Sequence, residues 1–218
     1  MSIRVVVADD QDLVRTGLVM ILGAQPDLEV VGEAADGLAA LDLATRLRPD
    51  VLLVDIRMPG LDGVEVTRRL AGPDVADPMA VVVITTFDLD EYVLGALRAG
   101  ARGFLLKDAG PELLVQAIHA AADGDALIAP NITARLLAAF ADTDDGRPPA
   151  QPREPLTSRE EELLILVARG RTNQESADEL YLSLSTVKTH LASLMRKLGA
   201  RNRVELAMWA YESGRIKS

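Results

Sequence analysis

The sequence predicts an α/β domain built on a parallel sheet, followed by a smaller domain made only of helices. Apolar runs alternate with helix-periodic segments in the first part of the chain, and only helical periodicity follows a proline-rich stretch. We therefore divide the 218 residues into a first domain at 1–125, a linker at 126–155 and a second domain at 156–218.

Five apolar runs in the first domain are predicted to be strands. They are rich in Val, Ile and Leu, and three are nearly continuous, which is typical of strands covered on both faces. The predicted strands are 4–8, 29–33, 51–54, 80–84 and 103–106. The helix-periodic segments lie near 11–23, 36–47, 63–70, 91–99 and 111–122. Five such repeats predict a doubly wound parallel sheet with helices on both faces.

The linker prediction rests on composition. Residues 142–155 contain four prolines, one glycine and no large apolar residue, which is typical of a linker, although an ordered surface loop is an alternative. A short helix is predicted near 131–140.

Composition excludes several classes of protein. The absence of cysteine excludes disulfides and thiolate chemistry, and two histidines are too few for a histidine-rich metal site. The chain lacks both a signal peptide and an uninterrupted apolar run of about eighteen residues, so we expect a soluble cytoplasmic protein without a membrane span. Residues 1–141 carry 21 acidic against 11 basic side chains, whereas residues 156–218 carry 8 against 10. This asymmetry makes the second domain the candidate for a nucleic-acid partner.

The second domain shows the pattern of a helix-turn-helix. Thr157 and Glu160 form a capping-box sequence at the start of one helix, and Gly170 follows its end. Three more helices are predicted at 173–180, 185–198 and 203–213. The short connection between the first two of these resembles the turn of a helix-turn-helix.

Carboxylates cluster where predicted strands end. Asp9 and Asp10 follow the first strand and Asp55 follows the third, at the edge where such sheets bind ligands. Two carboxylates about 4 Å apart repel by roughly 4 kcal/mol at an effective dielectric constant near 20, so the cluster needs a cation. An all-oxygen site favours Mg²⁺, and one carboxylate can then attack phosphorus. Thr85 and Lys107, at the ends of the fourth and fifth strands, add a hydroxyl and an ammonium suited to phosphate.

Four segments resemble the motif set of receiver domains of two-component signalling. They are residues 7–10, 54–60, 84–86 and 104–107. The resemblance implies a flavodoxin-like sheet of strand order 2-1-3-4-5, with phosphoryl transfer from a sensor histidine kinase to Asp55. It also implies an Mg²⁺ site in which Asp10 and Asp55 bind by their side chains and Arg57 contributes its backbone carbonyl. Asp9 would bind the ion directly or through water.

The same resemblance assigns roles around the phosphoryl group. It implies that Thr85 and Lys107 hold the phosphoryl oxygens and that Phe104 is the aromatic that packs inward when Thr85 moves. One departure is Asp108, because receivers often have a proline after the lysine, with a cis peptide between the two. A non-proline cis peptide costs about 2.5–4 kcal/mol, so the sequence leaves open whether this peptide is trans or strained.

The predicted helix at 185–198 has two distinct faces. One face is apolar and consists of Val187, Leu191, Leu194 and Leu198. The opposite face is small, polar and basic, as a helix in the major groove requires, although an ordinary solvated face gives the same pattern. Ser193 is placed on this outer face. We expect the DNA contacts to be Ser185, Lys188, Thr189, Ala192 and Arg196.

Six segments of the second domain resemble the LuxR-type DNA-binding domain. They are residues 156–160, 168–170, 173–175, 185–191, 197–199 and 203–205. Together with the receiver motifs they are similar to the NarL subfamily of response regulators. The resemblance implies a transcription regulator rather than an enzyme, with double-stranded promoter DNA as partner and a homodimer on phosphorylation. Ser176 departs from the family, which usually has Ile there, so either its hydroxyl is buried at some cost or that helix sits slightly differently.

Two other functions stay open at this stage. A phosphatase with an aspartate nucleophile commonly needs a second acid two residues further on, but that position is Arg57, which cannot donate a proton at neutral pH. The other function is a phosphorylation-independent DNA-binding regulator with an atypical receiver. Its usual signature is the loss of an acidic-pocket residue, and none is lost here.

Overall fold

The computed structural model describes residues 2–86, 90–128, 152–200 and 202–216, and the chain divides into two compact units, Met1–Ala129 and Pro130–Ser218. The strands are β1 Ile3–Ala8, β2 Leu28–Ala34, β3 Val51–Asp55, β4 Ala80–Thr85, β5 Gly103–Leu106 and β6 Leu127–Ile128. The helices of the first unit are α1 Asp12–Gly23, α2 Gly37–Leu47, α3 Gly63–Ala71, α4 Asp90–Arg98 and α5 Pro111–Ala122. The helix predicted near 131–140 lies outside the described residues, as does most of the linker.

The sheet has the order β2-β1-β3-β4-β5-β6, and all of its strand pairs are parallel. This confirms the predicted order of the first five strands. β6 lies in a segment that the sequence assigned to the linker, and its two residues are too few to give a strand pattern. β3 and β4 are buried along their whole length because both faces of the sheet are covered, which explains their uninterrupted apolar runs.

Parallel pairing brings the carboxyl ends of the central strands to one edge of the sheet. Asp55 is paired with Ile84, and Thr85 is paired with Leu106. The residues at or just beyond these strand ends therefore lie next to one another along that edge. They are Asp9, Asp55, Thr85 and Lys107.

Gly63 fixes the loop that follows Asp55. The Gly63 amide donates a hydrogen bond to the Ile56 carbonyl at 2.8 Å. A Cβ atom at Gly63 would lie 2.1 Å from the backbone oxygen of Asp55, so only glycine allows α3 to start this close to the strand end. Asp62 caps the helix by accepting a hydrogen bond from the Glu65 amide.

The described part of the second unit consists of four helices. They are α6 Ser158–Ala168, α7 Asn173–Leu180, α8 Leu184–Leu198 and α9 Arg203–Glu212. Capping boxes start α6 at Thr157 and α7 at Thr172, and α8 ends at Gly199 in the left-handed region, with a φ of 68°. The helices share one apolar core, which includes the chain's sole tryptophan, Trp209.

Ser176 is fully buried on α7, which is the first of the two alternatives that its replacement of an apolar residue left open. Its Oγ atom has no hydrogen-bond partner among the described residues. An unpartnered buried hydroxyl lowers the stability of the domain. Separately, no helix in the described ranges combines the length and the apolarity needed to cross a bilayer.

Candidate functional site

Three carboxylates converge at the edge formed by β1 and β3. Asp9 and Asp55 are buried and Asp10 is exposed, and each offers an oxygen within 4.8 Å of the other two. Asp55 is the last residue of β3, whereas Asp9 and Asp10 directly follow β1, its neighbour in the sheet. The carboxylate cluster predicted from the strand ends is therefore present, with one carboxylate open to solvent.

Lys107 reaches into this cluster from the end of β5. Its Nζ atom lies 2.7 Å from Oδ2 of Asp9 and 2.8 Å from Oδ2 of Asp55. Burial raises the pKa of Asp55, and the hydrogen bond from Lys107 opposes this rise without cancelling it. Burial would also lower the pKa of Lys107, but its bonds to Asp55 and Asp9 outweigh that effect and raise it.

The remaining predicted pocket residues lie on β4 and β5. Thr85 is buried at the end of β4, and its carbonyl accepts a hydrogen bond of 2.8 Å from the Lys107 amide. Phe104 is fully buried on β5. The peptide between Lys107 and Asp108 is trans, which decides the question that the sequence left open.

Arg57 lies at the mouth of the pocket. Its Nη2 atom donates a hydrogen bond of 3.2 Å to the Tyr92 hydroxyl, and its guanidinium lies 5.7 Å from the centre of the Tyr92 ring. These two residues line an open cleft together with Asp10, Met58 and Asp62. Contact with Tyr92 thus directs the Arg57 side chain along the rim, and the metal-binding role of its carbonyl stays a prediction.

The donor set of the pocket fits a magnesium ion. All three candidate side chains offer carboxylate oxygens, the ligands that Mg²⁺ prefers, and the exposed Asp10 leaves room for the waters that this ion retains. The cluster has three carboxylates, and one ammonium pairs with two of them, so an excess of negative charge remains that a divalent cation would neutralise.

The predicted DNA-contact residues share the exposed side of α8. All five are solvent-exposed, whereas Val187, Leu191 and Leu194 are buried in the core as predicted. The hydroxyl of Thr189 donates a hydrogen bond of 2.9 Å to the Ser185 carbonyl. The five exposed residues are Ser185, Lys188, Thr189, Ala192 and Arg196.

Arg196 forms an ion pair with a carboxylate of the same chain. Its guanidinium donates two hydrogen bonds to the Glu154 carboxylate, at 2.5 and 3.2 Å. Both side chains are more than half exposed, so the pair lies in water on the surface of the domain. A cation expected to bind DNA phosphate is thus held by a carboxylate from the segment that precedes α6.

Ser193 was wrongly placed on the outer face of α8. Its hydroxyl donates a hydrogen bond of 2.7 Å to Oε1 of Glu160, on α6. Lys197, one turn further, is buried and donates to Oε2 of Glu160 at 2.7 Å and to the Pro155 carbonyl at 3.0 Å. Sequence reasoning also missed the buried contact between Lys197 and Glu160.

Glu160 is held ionised by these partners. Burial would raise its pKa, but hydrogen bonds from Lys197, the Thr157 amide and Ser193 together lower it to about 2. Each oxygen of this buried carboxylate has a donor. The contacts of Glu160 with Ser193 and Lys197 therefore connect α8 to the start of α6.

Comparisons with known proteins cover both units. Residues 5–119 match the response regulator receiver domain family, and residues 154–210 match the luxR family of bacterial regulatory proteins. The transcriptional regulatory protein LiaR of Bacillus subtilis is 38% identical over 211 residues, which are 97% of this chain and 98% of that protein. The oxygen regulatory protein NreC of Staphylococcus aureus is 38% identical over 210 residues, or 95% and 96% of the two chains.

Solved structures also align over nearly the whole length. The crystal structure of the response regulator ChrA, from a heme-sensing two-component system, is 37% identical, with a TM-score of 0.54 and coverage of 99% of both chains. The response regulator RcsB in a complex with DNA is 27% identical, with a TM-score of 0.56 and coverage of 97% of this chain and 99% of that one.

Proposed function

Because this chain belongs to the response regulators that join a receiver domain to a LuxR-type DNA-binding domain, and so is a transcription regulator of two-component signalling, we propose that phosphorylation of Asp55 switches its binding to DNA. One observation carries the proposal. The buried carboxylate of Asp55 lies beside Asp9 and Asp10 and accepts a hydrogen bond from Lys107 at 2.8 Å.

The transfer step is a substitution at phosphorus. A carboxylate oxygen of Asp55 forms the new O–P bond while the N–P bond of a phosphohistidine on a sensor histidine kinase breaks. The electron pair of the N–P bond stays on the imidazole nitrogen, which takes up a proton from solvent. Only the carboxylate can attack, so the Lys107 ammonium, which opposes the rise in the pKa of Asp55, favours the reactive form.

Asp9, Asp10 and Asp55 would hold Mg²⁺, together with the backbone carbonyl of Arg57. When bound, the ion supplies positive charge to the phosphoryl oxygens. Lys107 provides a second positive charge beside Asp55, to which it donates a hydrogen bond of 2.8 Å. The Thr85 hydroxyl would donate to the phosphoryl group and shift toward it, with Phe104 packing as Thr85 moves.

The output is a change in DNA binding by α8. Movement at Thr85 and Phe104 would alter the face formed by α4, β5 and α5 and favour a homodimer. A dimer presents two recognition helices about one DNA turn apart, which strengthens binding to a paired site. The DNA-bound structure of the related RcsB supports this type of output.

Labelling with acetyl phosphate and Mg²⁺ tests the phosphoacceptor. We expect the intact mass to rise by one phosphoryl group in the wild-type protein and in Asp77→Asn, and no such rise in Asp55→Asn. Asp77 is a matched control because it precedes β4 and so lies at the amino ends of the strands, whereas the carboxylate pocket lies at their carboxyl ends. Labelling of Asp55→Asn to the wild-type extent would refute the assignment.

Gel shifts and light scattering, with and without acetyl phosphate, test the switch. We expect tighter DNA binding and a larger oligomer after labelling. Unchanged DNA affinity and oligomeric state would instead favour the phosphorylation-independent regulator, and multiple turnovers of small phosphate esters would favour the phosphatase.

A further inference from the structure

Arg15 links three elements beside the carboxylate pocket without entering it. From the first turns of α1, its Nη1 atom donates a hydrogen bond of 2.7 Å to the backbone carbonyl of Asp9. Its Nη2 atom lies 2.6 Å from Oδ1 of Asp12, and its Nε atom lies 3.5 Å from Oε2 of Glu33. The guanidinium thus joins the ends of β1 and β2 to the first turn of α1, with 15% of the side chain exposed.

This contact completes the fixation of Asp9. The Asp9 amide donates to the Ala34 carbonyl at 3.1 Å, and Oδ1 accepts from the Gln11 amide at 2.9 Å. Oδ2 lies 2.7 Å from the ammonium of Lys107. The backbone carbonyl remains, and Arg15 is the donor that satisfies it. Asp9 is fully buried, so loss of this bond would free the turn that carries both Asp9 and Asp10.

We propose that Arg15 is a positioning residue for the metal site, because its guanidinium holds the Asp9 backbone so that the carboxylates of Asp9 and Asp10 meet that of Asp55. The inference rests on the proposed function of the pocket. Arg15 acts through Asp9 and does not touch the ion. Groups that orient metal ligands from outside the coordination sphere commonly change metal affinity by about 10- to 100-fold.

The positioning role and a purely electrostatic role predict opposite effects. A guanidinium close to the pocket repels a divalent cation, so removal of its charge alone would tighten Mg²⁺ binding. Removal of its hydrogen bond to the Asp9 carbonyl would weaken binding. Arg15→Gln removes both, and Arg15→Lys keeps the charge but lacks the planar fork that reaches Asp9, Asp12 and Glu33 together.

Isothermal titration calorimetry of Mg²⁺ into the unphosphorylated full chain separates the two roles. We expect Arg15→Gln and Arg15→Lys each to raise the Kd about tenfold. Arg46→Gln on α2, which removes an exposed arginine paired with Asp42, should leave the Kd within about twofold of wild type. In acetyl phosphate labelling, the half-saturating Mg²⁺ concentration should rise about tenfold, with the maximal rate at saturating Mg²⁺ nearly unchanged.

A wild-type Kd in Arg15→Gln, or tighter binding, would overturn the proposal. If that variant does not fold, Arg15→Lys decides alone, because it keeps the positive charge and loses only the planar fork. A wild-type Kd in Arg15→Lys would then overturn the proposal. Because the titration needs no phosphodonor, a failure of Asp55 to label refutes the proposed function separately. Absence of Mg²⁺ binding to the wild-type protein would refute both.

Discussion

Two lysines whose side chains are about nine-tenths covered contact carboxylates at nearly equal distances, but the pKa values of their partner acids shift in opposite directions. Lys107 lies 2.7 and 2.8 Å from Asp9 and Asp55, and Lys197 lies 2.7 Å from Glu160. The pKa of Asp55 is nevertheless raised by its burial, whereas that of Glu160 is lowered to about 2. The distance between lysine and carboxylate therefore does not decide whether the pKa of the acid is raised or lowered.

The difference lies in how completely each carboxylate is compensated. Glu160 is a single acid that also accepts hydrogen bonds from Thr157 and Ser193. Asp55 shares its one lysine with Asp9, and that neighbouring charge raises its pKa further. The charges around Glu160 are balanced, whereas the receiver pocket keeps an excess of negative charge that a divalent cation would neutralise.

The largest expected effect is the loss of stability in Glu160→Gln. The interval between the usual pKa of 4.5 and the folded value of about 2 corresponds to about 3 kcal/mol of unfolding free energy. Denaturant unfolding followed by Trp209 fluorescence measures it, since Trp209 lies in the same core. Glu162→Gln on the same helix, where the carboxylate is half exposed, should change stability by less than about 0.5 kcal/mol.

The pair of Glu160 and Lys197 also makes the stability of the domain depend on pH. The folded pKa of Glu160 lies below the unfolded value, so its contribution is complete above pH 4.5 and disappears as the pH falls toward 2. The stability difference between wild type and Glu160→Gln should shrink over this interval. A difference that stays constant down to pH 2 would contradict the interpretation that ionised Glu160 stabilises the domain through its pairing with Lys197.

Magnesium should stabilise only the receiver domain, whose pocket carries the excess negative charge. At a concentration tenfold above its Kd, Mg²⁺ should raise the unfolding free energy of the receiver by about 1.4 kcal/mol. Circular dichroism reports the transitions of the whole chain, and Trp209 fluorescence identifies that of the DNA-binding domain, which should stay where it is. An equal shift of both transitions would argue against a specific site in the receiver.

Asp55→Asn should have the opposite sign to Glu160→Gln. It removes one charge from a crowded cluster, and we expect it to stabilise the receiver by roughly 1 kcal/mol without Mg²⁺. Because the pKa of Asp55 is raised in the folded state, the charged form opposes folding, and this gain should fade as the pH falls and Asp55 is protonated. Thermal unfolding in EDTA measures it, and a destabilised receiver would mean that Lys107 compensates Asp55 fully.

The smallest expected effect concerns the exposed pair of Arg196 and Glu154. Freed from its carboxylate in Glu154→Gln, Arg196 should bind DNA phosphate more readily and tighten binding about twofold to fivefold. A mixed-sequence duplex suffices, because phosphate contacts do not depend on sequence. Arg196→Gln should abolish this gain and reduce the dependence of log K on log salt by about one. A gain that persists without Arg196 would locate the effect elsewhere.

Much of the receiver could be predicted because its signals are local. Each pocket residue lies at or beside the end of an apolar run, and parallel strands necessarily bring such ends together. The five-strand order came from the motif resemblance, and the structure confirms it. The carboxylate cluster followed from Asp9, Asp10 and Asp55 alone.

The polar contacts between helices could not be predicted in the same way. Helical periodicity places Ser193 away from the apolar face of α8, and it does not tell which helix packs against α8 or that Glu160 faces Ser193 and Lys197. Arg15 was missed for a similar reason, since its main acceptor is a backbone carbonyl that no side-chain pattern reveals. Such contacts depend on how elements pack, which a local pattern does not encode.

The end of the linker is hydrogen-bonded to α8 before the chain enters α6. The Arg153 amide donates to the Lys197 carbonyl at 2.9 Å, and Lys197 donates through Nζ to the carbonyl of Pro155. A pull along the chain from the receiver side therefore reaches the last turn of α8 before it reaches α6. In mechanical terms, the covalent tether is attached to the part of the molecule that is expected to hold DNA.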